Sequence, residues 1–332
     1  MSRRLIVIVF LAALAALAGW RLHAGQCPAE VERSRVLMGT VVEITAFGNG
    51  RSTVDRAVTA AFDEMGRIDA LMGPHGSKSD AVRLSGSATL VAVNPETAAV
   101  IAEGLQVATQ SGGAFDMGLG RLKKLWGIET DHPRVPTPAE IRRALTGTGP
   151  GDLALSSDQV RKRAAAVEVD LGGIAKGYAI DRAVAVLRAA GIRHAAVNAG
   201  GDIRLIGDRL GRPWRIGIEH PRDPQKMLAA LDLSDLSVVT SGDYERYFIR
   251  NGIRYHHIFD PRTGSPARGC QSVTVVAADA TRADALATAA FVLGPAKGLA
   301  LLERLPGVEG LLVDSHGKVT MTTGLKGKVR WP

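Results

Sequence analysis

Cysteine occurs only twice in the 332-residue chain, at positions 27 and 270. Two thiols cannot build a disulfide framework or a cysteine-rich metal site. Aromatic residues are few, 5% of the chain, and the densest basic runs, "RLKKLWG" and "RKR", are short. With no helix-turn-helix pattern, zinc finger or aromatic-interleaved basic stripe, the chain carries no footprint of a nucleic-acid partner. Internal repeats of about 20 to 50 residues are absent, as are low-complexity tracts, which excludes solenoids and propellers. There is no G-x-S-x-G elbow and no H-E-x-x-H, which argues against serine hydrolases and zinc proteases. No segment rich in Pro, Gly or Ser is long enough to divide the chain.

What is present is a globular composition, 46% apolar and 22% charged. Arg3 and Arg4 precede an unbroken apolar run from Leu5 to Trp20, followed by "RLHAGQCPAE". A basic start, a short apolar stretch and small residues behind it describe an export signal. The run is slightly shorter than the roughly 20 residues needed to cross a bilayer. We therefore expect residues 1–24 to be a signal cleaved near Ala24, with an uncleaved membrane anchor as the alternative. Residues 25–332 would then form one catalytic unit. Lipid attachment at Cys27 is disfavoured because Gln26, not a small residue, precedes it. The expected location is outside the cytoplasm, periplasmic or anchored to the outer face of the inner membrane. The net charge of +8 suits an anionic ligand such as a pyrophosphate, but a solvated basic surface explains it best.

"VVEITAFG" (41–48) reads as a strand. Val54, Val58, Ala61, Met65, Ile68 and Met72 then recur at helical spacing and predict a five-turn helix. "LVAVN" (90–94) is a second strand, and Asn94-Pro95 caps a helix running towards Ser111. Thr137-Pro138 opens a shorter helix in the same way. A helix beginning near Ile174 is followed by the short strands "HAAVN", "DIRLIG", "WRIGIE", "LSVVT" and "YHHIFD". "SVTVVA" leads into a helix over 281–293 that Gly294 should end, and a last pair of strands surrounds 309–323. Strands in hairpin-like succession favour an α+β fold of largely antiparallel sheets backed by long helices.

Three stretches carry chemistry. The first, "DLGGIAKGYAID" (170–181), places an acid, glycines and Lys176 ahead of a helix. It matches neither G-x-G-x-x-G nor a Walker loop. Glycine backbone N–H groups, the helix N-terminus and a lysine could still hold phosphate, while Asp170 would repel phosphate and suits a ring or ribose. The plainer reading is a strand-to-helix turn. In the second, "TRADALATAAFVLG", Asp284 and Thr288 lie one helical turn apart on one face. Both are hard oxygen donors suited to Mg²⁺, although an Asp near a helix start is also favourable by electrostatics alone. In the third, "RYHHIFDPRTGSP", His256 and His257 precede an Asp-Pro turn, and strand alternation points them to opposite faces. One of them could act as a general base. A lone strand histidine is more often simply packed.

Taken together and in order, "RVLMGT", "GGAFDMGLGRLKKLWG", "VDLGGIAKGYAIDRA", "VNAGGDIRLIG", "VTSGDYERYF", "HHIFDPRTG" and "ADALATAAFVLG" resemble the ApbE family of FAD:protein FMN transferases. The resemblance implies a T-fold-like single catalytic unit in which FAD lies with its pyrophosphate beside Mg²⁺. It implies FAD contacts from Met38, Ala114, Phe115, Asp116, Asp170, Lys176 and Ile258. The metal ligands it implies are the backbone oxygen of Gly173 and the side chains of Asp284 and Thr288. The activity would be transfer of FMN to a Thr or Ser hydroxyl of a client redox protein, with AMP released. His257 is the candidate base and Asp243 the next. Two segments depart from the family pattern: "SKSDAVRLSGS" keeps little of the usual Ser-Glu-x-Ser-Arg-x-Asn, and Arg121 stands where a proline is usual. The rival readings are a flavin-binding or flavin-delivery protein and a Mg²⁺-dependent FAD pyrophosphatase.

Overall fold

The structure, a computed structural model, describes residues 28–87, 90–146, 148–149 and 151–332. The expected export segment and Cys27 lie outside the described residues. Eight strands form one sheet: β1 (Ala29–Leu37), β2 (Thr40–Gly48), β3 (His194–Ala199), β4 (Asp202–Ile206), β5 (Ser237–Gly242), β6 (Cys270–Ala277), β7 (Glu309–Asp314) and β8 (Val319–Met321). Their order in the sheet is their order in the chain, and every neighbour is antiparallel. The helical segments are insertions into this meander. Three long helices, α1 (Arg51–Met72), α2 (Pro95–Gln110) and α3 (Ala175–Ala189), lie between β2 and β3, and α4 (Ala280–Glu303) lies between β6 and β7.

Both faces of the sheet are covered. Val42, Ile44 and Ala46 of β2, Val197 of β3 and Val273 and Val275 of β6 meet the helices. Alternate residues, among them Phe47, Leu205, Val276 and Leu311, meet Trp214, Ile216 and Leu231 of a smaller sheet built from Trp214–His220, Asp223–Leu233 and Val329–Arg330. That double cover explains why β6 is buried at every position, its polar Ser272 and Thr274 included. The α+β expectation of antiparallel sheets backed by long helices therefore agrees with the structure.

The helix signals are local and physical. All six apolar residues read on α1 are buried. Asn94 caps α2 by accepting the Glu96 N–H at 2.9 Å. Thr137 and Glu140 form a reciprocal capping box on the Pro138–Leu145 helix. Several features differ from the sequence reading. β1, the short helices Asp80–Gly86 and Gly120–Trp126, and the strands Leu153–Ser156, Gln159–Lys162 and Asp223–Leu233 are not marked by their patterns. Gly294 does leave helical geometry, with φ 78°, but Pro295 suits a first helical turn, so a second helical stretch follows at once to Glu303. "YHHIFD" is not one strand. Pairing stops at His256, and Phe259–Asp260 pairs separately with Ser265–Pro266. The break has a cause: the His256 ring takes the Ile258 N–H at 3.3 Å, and the His257 N–H turns to Arg246 O at 3.1 Å.

The site is organised where α3 crosses the start of α4. A Cβ at Gly177 would lie 2.2 Å from Ala280 O and 2.9 Å from Thr281 Cα, so only glycine permits the crossing. Asp181, one turn further along α3, binds the N–H groups of Ala280 and Thr281 at 2.9 and 2.8 Å and fixes the angle. Gly177→Ala should force the helices apart and cost about 1–3 kcal/mol by overpacking. A chemical-denaturation midpoint equal to wild type would show that the crossing is slack.

Candidate active site

The crossing brings the first two sequence stretches together. The Asp284 Oδ2 accepts the Gly177 N–H at 3.0 Å, in the first turns of α3. One turn along α4, the Thr288 hydroxyl lies 3.3 Å from Ser241 Oγ at the end of β5. A Cβ on Gly173 would stand 3.5 Å from that same Thr288 Oγ1 and 3.2 Å from the Phe115 ring. Gly173, Thr288 and Phe115 are thus neighbours although far apart in the chain. Asp170 anchors the loop, its Oδ1 accepting the Gly172 N–H at 2.9 Å. Lys176 forms a 2.6 Å ion pair with Asp202, which is buried.

Charge here is concentrated and poorly hydrated. Burial, then the neighbouring Asp202 carboxylate, pushes the Asp284 carboxyl up to about 7, and Lys176 opposes the shift. Burial alone would pull Lys176 down, but Asp202 and Asp284 outweigh it and leave its pKa raised. Among the described residues no donor meets the second Asp284 oxygen. A carboxylate with an oxygen free of donors among the described residues, a hydroxyl and the backbone of Gly173 make a hard-oxygen cradle that fits a cation of the Mg²⁺ kind. Among the described residues no group of three or more His, Cys, Asp or Glu side chains could hold a metal. The expected ligand set, with a single acid, is of a different type and would leave positions for substrate oxygens.

A chain of charged contacts starts from the Asp170 loop. Lys123 lies 3.4 Å from Asp170 and 3.2 Å from Glu129, and Glu129 pairs with Arg246 at 2.6 Å. The Arg246 carbonyl lies 3.3 Å from His257 Nδ1. A carbonyl can only accept, so Nδ1 carries the proton and Nε2 keeps its lone pair. A chain of contacts thus runs from the Asp170 loop to a histidine whose Nε2 meets no partner among the described residues. Burial pulls the His257 ring down to about 4; Glu129 opposes the shift and Arg246 adds to it. At neutral pH the imidazole is neutral and able to accept.

His256 is the opposite case. It is buried, its Nε2 lies 2.7 Å from Ala267 O, and its Nδ1 takes the Ile258 N–H. Its ring edge meets Phe291. Both nitrogens are occupied, and burial lowers its pKa to about 4. The two histidines do face apart, as alternation predicted, although His257 has already left the strand.

The remaining expected residues are Met38, Ala114, Asp116 and Ile258. Met38, at φ 53° in the β1–β2 turn, donates its N–H to Asp69 at 3.3 Å, and a Cβ on the adjacent Gly39 would be 3.5 Å from Arg246 Nη2. Ala114 is buried beside Phe115. Asp116 Oδ1 accepts the Gly118 N–H at 2.7 Å, and burial raises its pKa against the pull of the Gly118 and Gly149 N–H groups. Ile258 is buried against the His256 ring. Asp243, the fallback base, is clamped by both Arg222 nitrogens at 2.6 and 2.7 Å, which removes both oxygens from proton transfer. Sequence reasoning did not single out Lys123, Glu129, Asp202, Ser241 or Arg246. Each comes from a different element, and no spacing links them.

The model of the ApbE family matches residues 38–312. The chain belongs to the ApbE family. It is 35% identical over 323 residues to the FAD:protein FMN transferase of Treponema pallidum, covering 91% of this chain and 89% of that one. It is 35% identical over 302 residues to the FAD:protein FMN transferase of Vibrio cholerae, covering 87% and 90%. Among solved structures, the ApbE protein of Thermotoga maritima superposes with a TM-score of 0.82 at 36% identity, over 90% of this chain and 99% of that one. The flavin transferase ApbE of Vibrio cholerae gives 0.80 at 30% identity, with the same coverage. The ApbE match runs from Met38 in the β1–β2 turn into β7, so every residue of the candidate site lies within it.

Proposed function

We propose that this chain is an FAD:protein FMN transferase that moves FMN from FAD to a Thr or Ser hydroxyl of a client redox protein. One observation supports the reading: Asp284 and Thr288 meet the 170–177 loop, and a chain of contacts from Asp170 of that loop through Lys123, Glu129 and Arg246 reaches His257. The hydroxyl oxygen attacks the phosphorus next to FMN and its proton passes to His257 Nε2. The pyrophosphate P–O bond then breaks, and AMP leaves with the bridging oxygen. Mg²⁺ held by Gly173 O, Asp284 and Thr288 would neutralise charge developing on the pyrophosphate. Lys176 supplies a fixed positive charge beside the cradle, Phe115 and Ile258 offer apolar surface, and the Lys123–Glu129–Arg246 chain orients the imidazole. The pyrophosphate's negative charge raises the proton affinity of His257 from its depressed value when FAD binds.

Incubating FAD and Mg²⁺ with and without a threonine-bearing client tests this by product. FMN bound to the client through a phosphoester, with AMP in equal amount, is the expected result. Free FMN and AMP regardless of the client would mean a pyrophosphatase, and intact FAD would mean a binding protein.

We also propose export, from Arg3, Arg4 and the apolar run behind them. A reporter fused after residue 40 should be active outside the cytoplasmic membrane, and purely cytosolic activity would overturn this.

A further inference from the structure

His257 and Glu129 are carried by two segments that one aromatic cluster locks together. The helix Gly120–Trp126 ends at Gly127, whose φ of 60° is left-handed. The turn after it closes through the Thr130 N–H to Gly127 O at 3.0 Å, and Glu129 sits inside that turn. Trp126 is buried, donates its Nε1–H to Gly264 O at 2.9 Å, and packs on Tyr255 and Phe259. Tyr255 and Phe259 flank the His256–His257 step, so the turn that holds Glu129 cannot drift from the imidazole without breaking this cluster.

Glu129 is held between two cations. Its Oε2 lies 3.2 Å from Lys123 Nζ, and its Oε1 accepts from Arg246 Nη1 at 2.6 Å. Burial pushes its carboxyl up, but Lys123 and then Arg246 outweigh burial and hold its pKa below the usual carboxylate range. The charged and titratable groups that act most strongly on the His257 ring are Glu129, Arg246, His256 and Lys123, and Glu129 is the one anion among them. His256 is neutral near pH 7. Other carboxylates in the region are committed: Asp243 to Arg222, and Asp170 to Lys123 and the Gly172 N–H. A proton arriving at His257 Nε2 therefore meets two cations that repel it and one carboxylate that draws it.

We propose that Glu129 is the counter-ion of the imidazolium formed when His257 takes the client's proton; the inference rests on the transfer reading above. The proton moves from the hydroxyl to Nε2, the Nδ1–H stays on the Arg246 carbonyl, and Glu129 remains ionised throughout. Glu129 acts through the ring, as a positioning residue. Arg246 has two parts with separate effects: its carbonyl orients the ring, while its guanidinium repels the imidazolium and occupies Glu129. Two variants that break the same Glu129–Arg246 bond should thus shift the ring in opposite directions, which bracing alone would not do.

The test uses the full chain. kcat for FMN transfer is followed against pH at saturating FAD, Mg²⁺ and client, and the His257 ring is titrated by NMR in the chain free of FAD. Glu129→Gln should move the acid limb of kcat down by about 1 unit, the low end of what a neighbouring charge does, and lower the plateau several-fold because a weaker base accepts the proton less readily. Its ring should titrate below the wild-type value of about 4. Arg246→Met keeps the backbone carbonyl and should raise both the limb and the ring titration. Glu129→Asp, which keeps the charge, should bring the limb back towards wild type. A limb and ring unmoved in Glu129→Gln, or moved the same way in both variants, overturns the proposal while transfer stands, because the ion pair would then only brace the turn. If Glu129→Gln does not fold, Arg246→Met decides alone, and a ring that titrates at or below the wild-type value overturns the proposal. Wild-type enzyme that leaves FAD intact, or hydrolyses it regardless of the client, removes the transfer reading and this proposal with it.

Discussion

Asp284→Asn should lower FMN transfer by more than about 100-fold at low Mg²⁺, beyond the range seen when a supporting shell around a metal is disturbed. The fold should remain. The amide oxygen of Asn can still accept the Gly177 N–H that Asp284 now binds at 3.0 Å, so the α3–α4 crossing keeps its tie. The variant also removes a carboxylate that burial and Asp202 already hold at a cost. Asp284→Ala is a harsher change, because it leaves Gly177 N–H unpaired in the core, a loss of about 1–3 kcal/mol. Comparing the two separates ligand loss from structural loss: transfer should fail in both, and only Ala should lower the unfolding midpoint clearly. Removing divalent cations with a chelator should stop wild-type transfer and be reversed by excess Mg²⁺. Normal turnover of Asp284→Asn at micromolar Mg²⁺ would reduce Asp284 to a helix-crossing residue.

Much of this arrangement is legible in the sequence, and the parts that are not have a common character. The helix faces are local properties. Val54 to Met72 repeat at helical spacing, and all are buried. Asn94, Thr137 and Glu140 announce helix starts through bonds made within three residues. The i, i+4 relation of Asp284 and Thr288 needs only a helix. What the sequence could not supply was who stands opposite. Gly173 meets Thr288 only because α3 and α4 cross at Gly177, and Lys123, Glu129 and Arg246 meet only once the helix Gly120–Trp126 and the turn after it come against the segment following β5. β1 escaped notice because Glu30, Glu32 and Ser34 fill its exposed face, while Arg33 and Arg35 stand among Val31 and Leu37 on the face towards α1 and leave few apolar positions to mark a strand. The run "YHHIFD" looked continuous because β propensity does not register a side chain competing for the backbone, which is what the His256 ring does at Ile258.

The two histidines should separate by kind of defect. His257→Ala is expected to bind FAD nearly normally and to slow transfer by about 100-fold, the usual scale for losing a positioned proton acceptor. Its Nδ1 is committed to Arg246 O and its Nε2 is open, so the lost group is the one with room to act. His256→Ala should instead leave the turnover of folded enzyme close to normal while lowering stability. It strips the partners from Ala267 O and Ile258 N and opens a space beside Phe291. Titration gives an independent readout. Folding depresses the His256 pKa from 6.5 to about 4, so the unfolded chain binds the proton more readily. Its stabilising contribution is complete above about pH 6.5 and is lost as pH falls toward 4. His256→Ala should therefore show a flatter stability curve than wild type across that window. The deciding measurement is the transfer rate at saturating FAD and client, taken beside a denaturation midpoint for each variant. Equal and small rate losses in both would show that neither imidazole takes the proton.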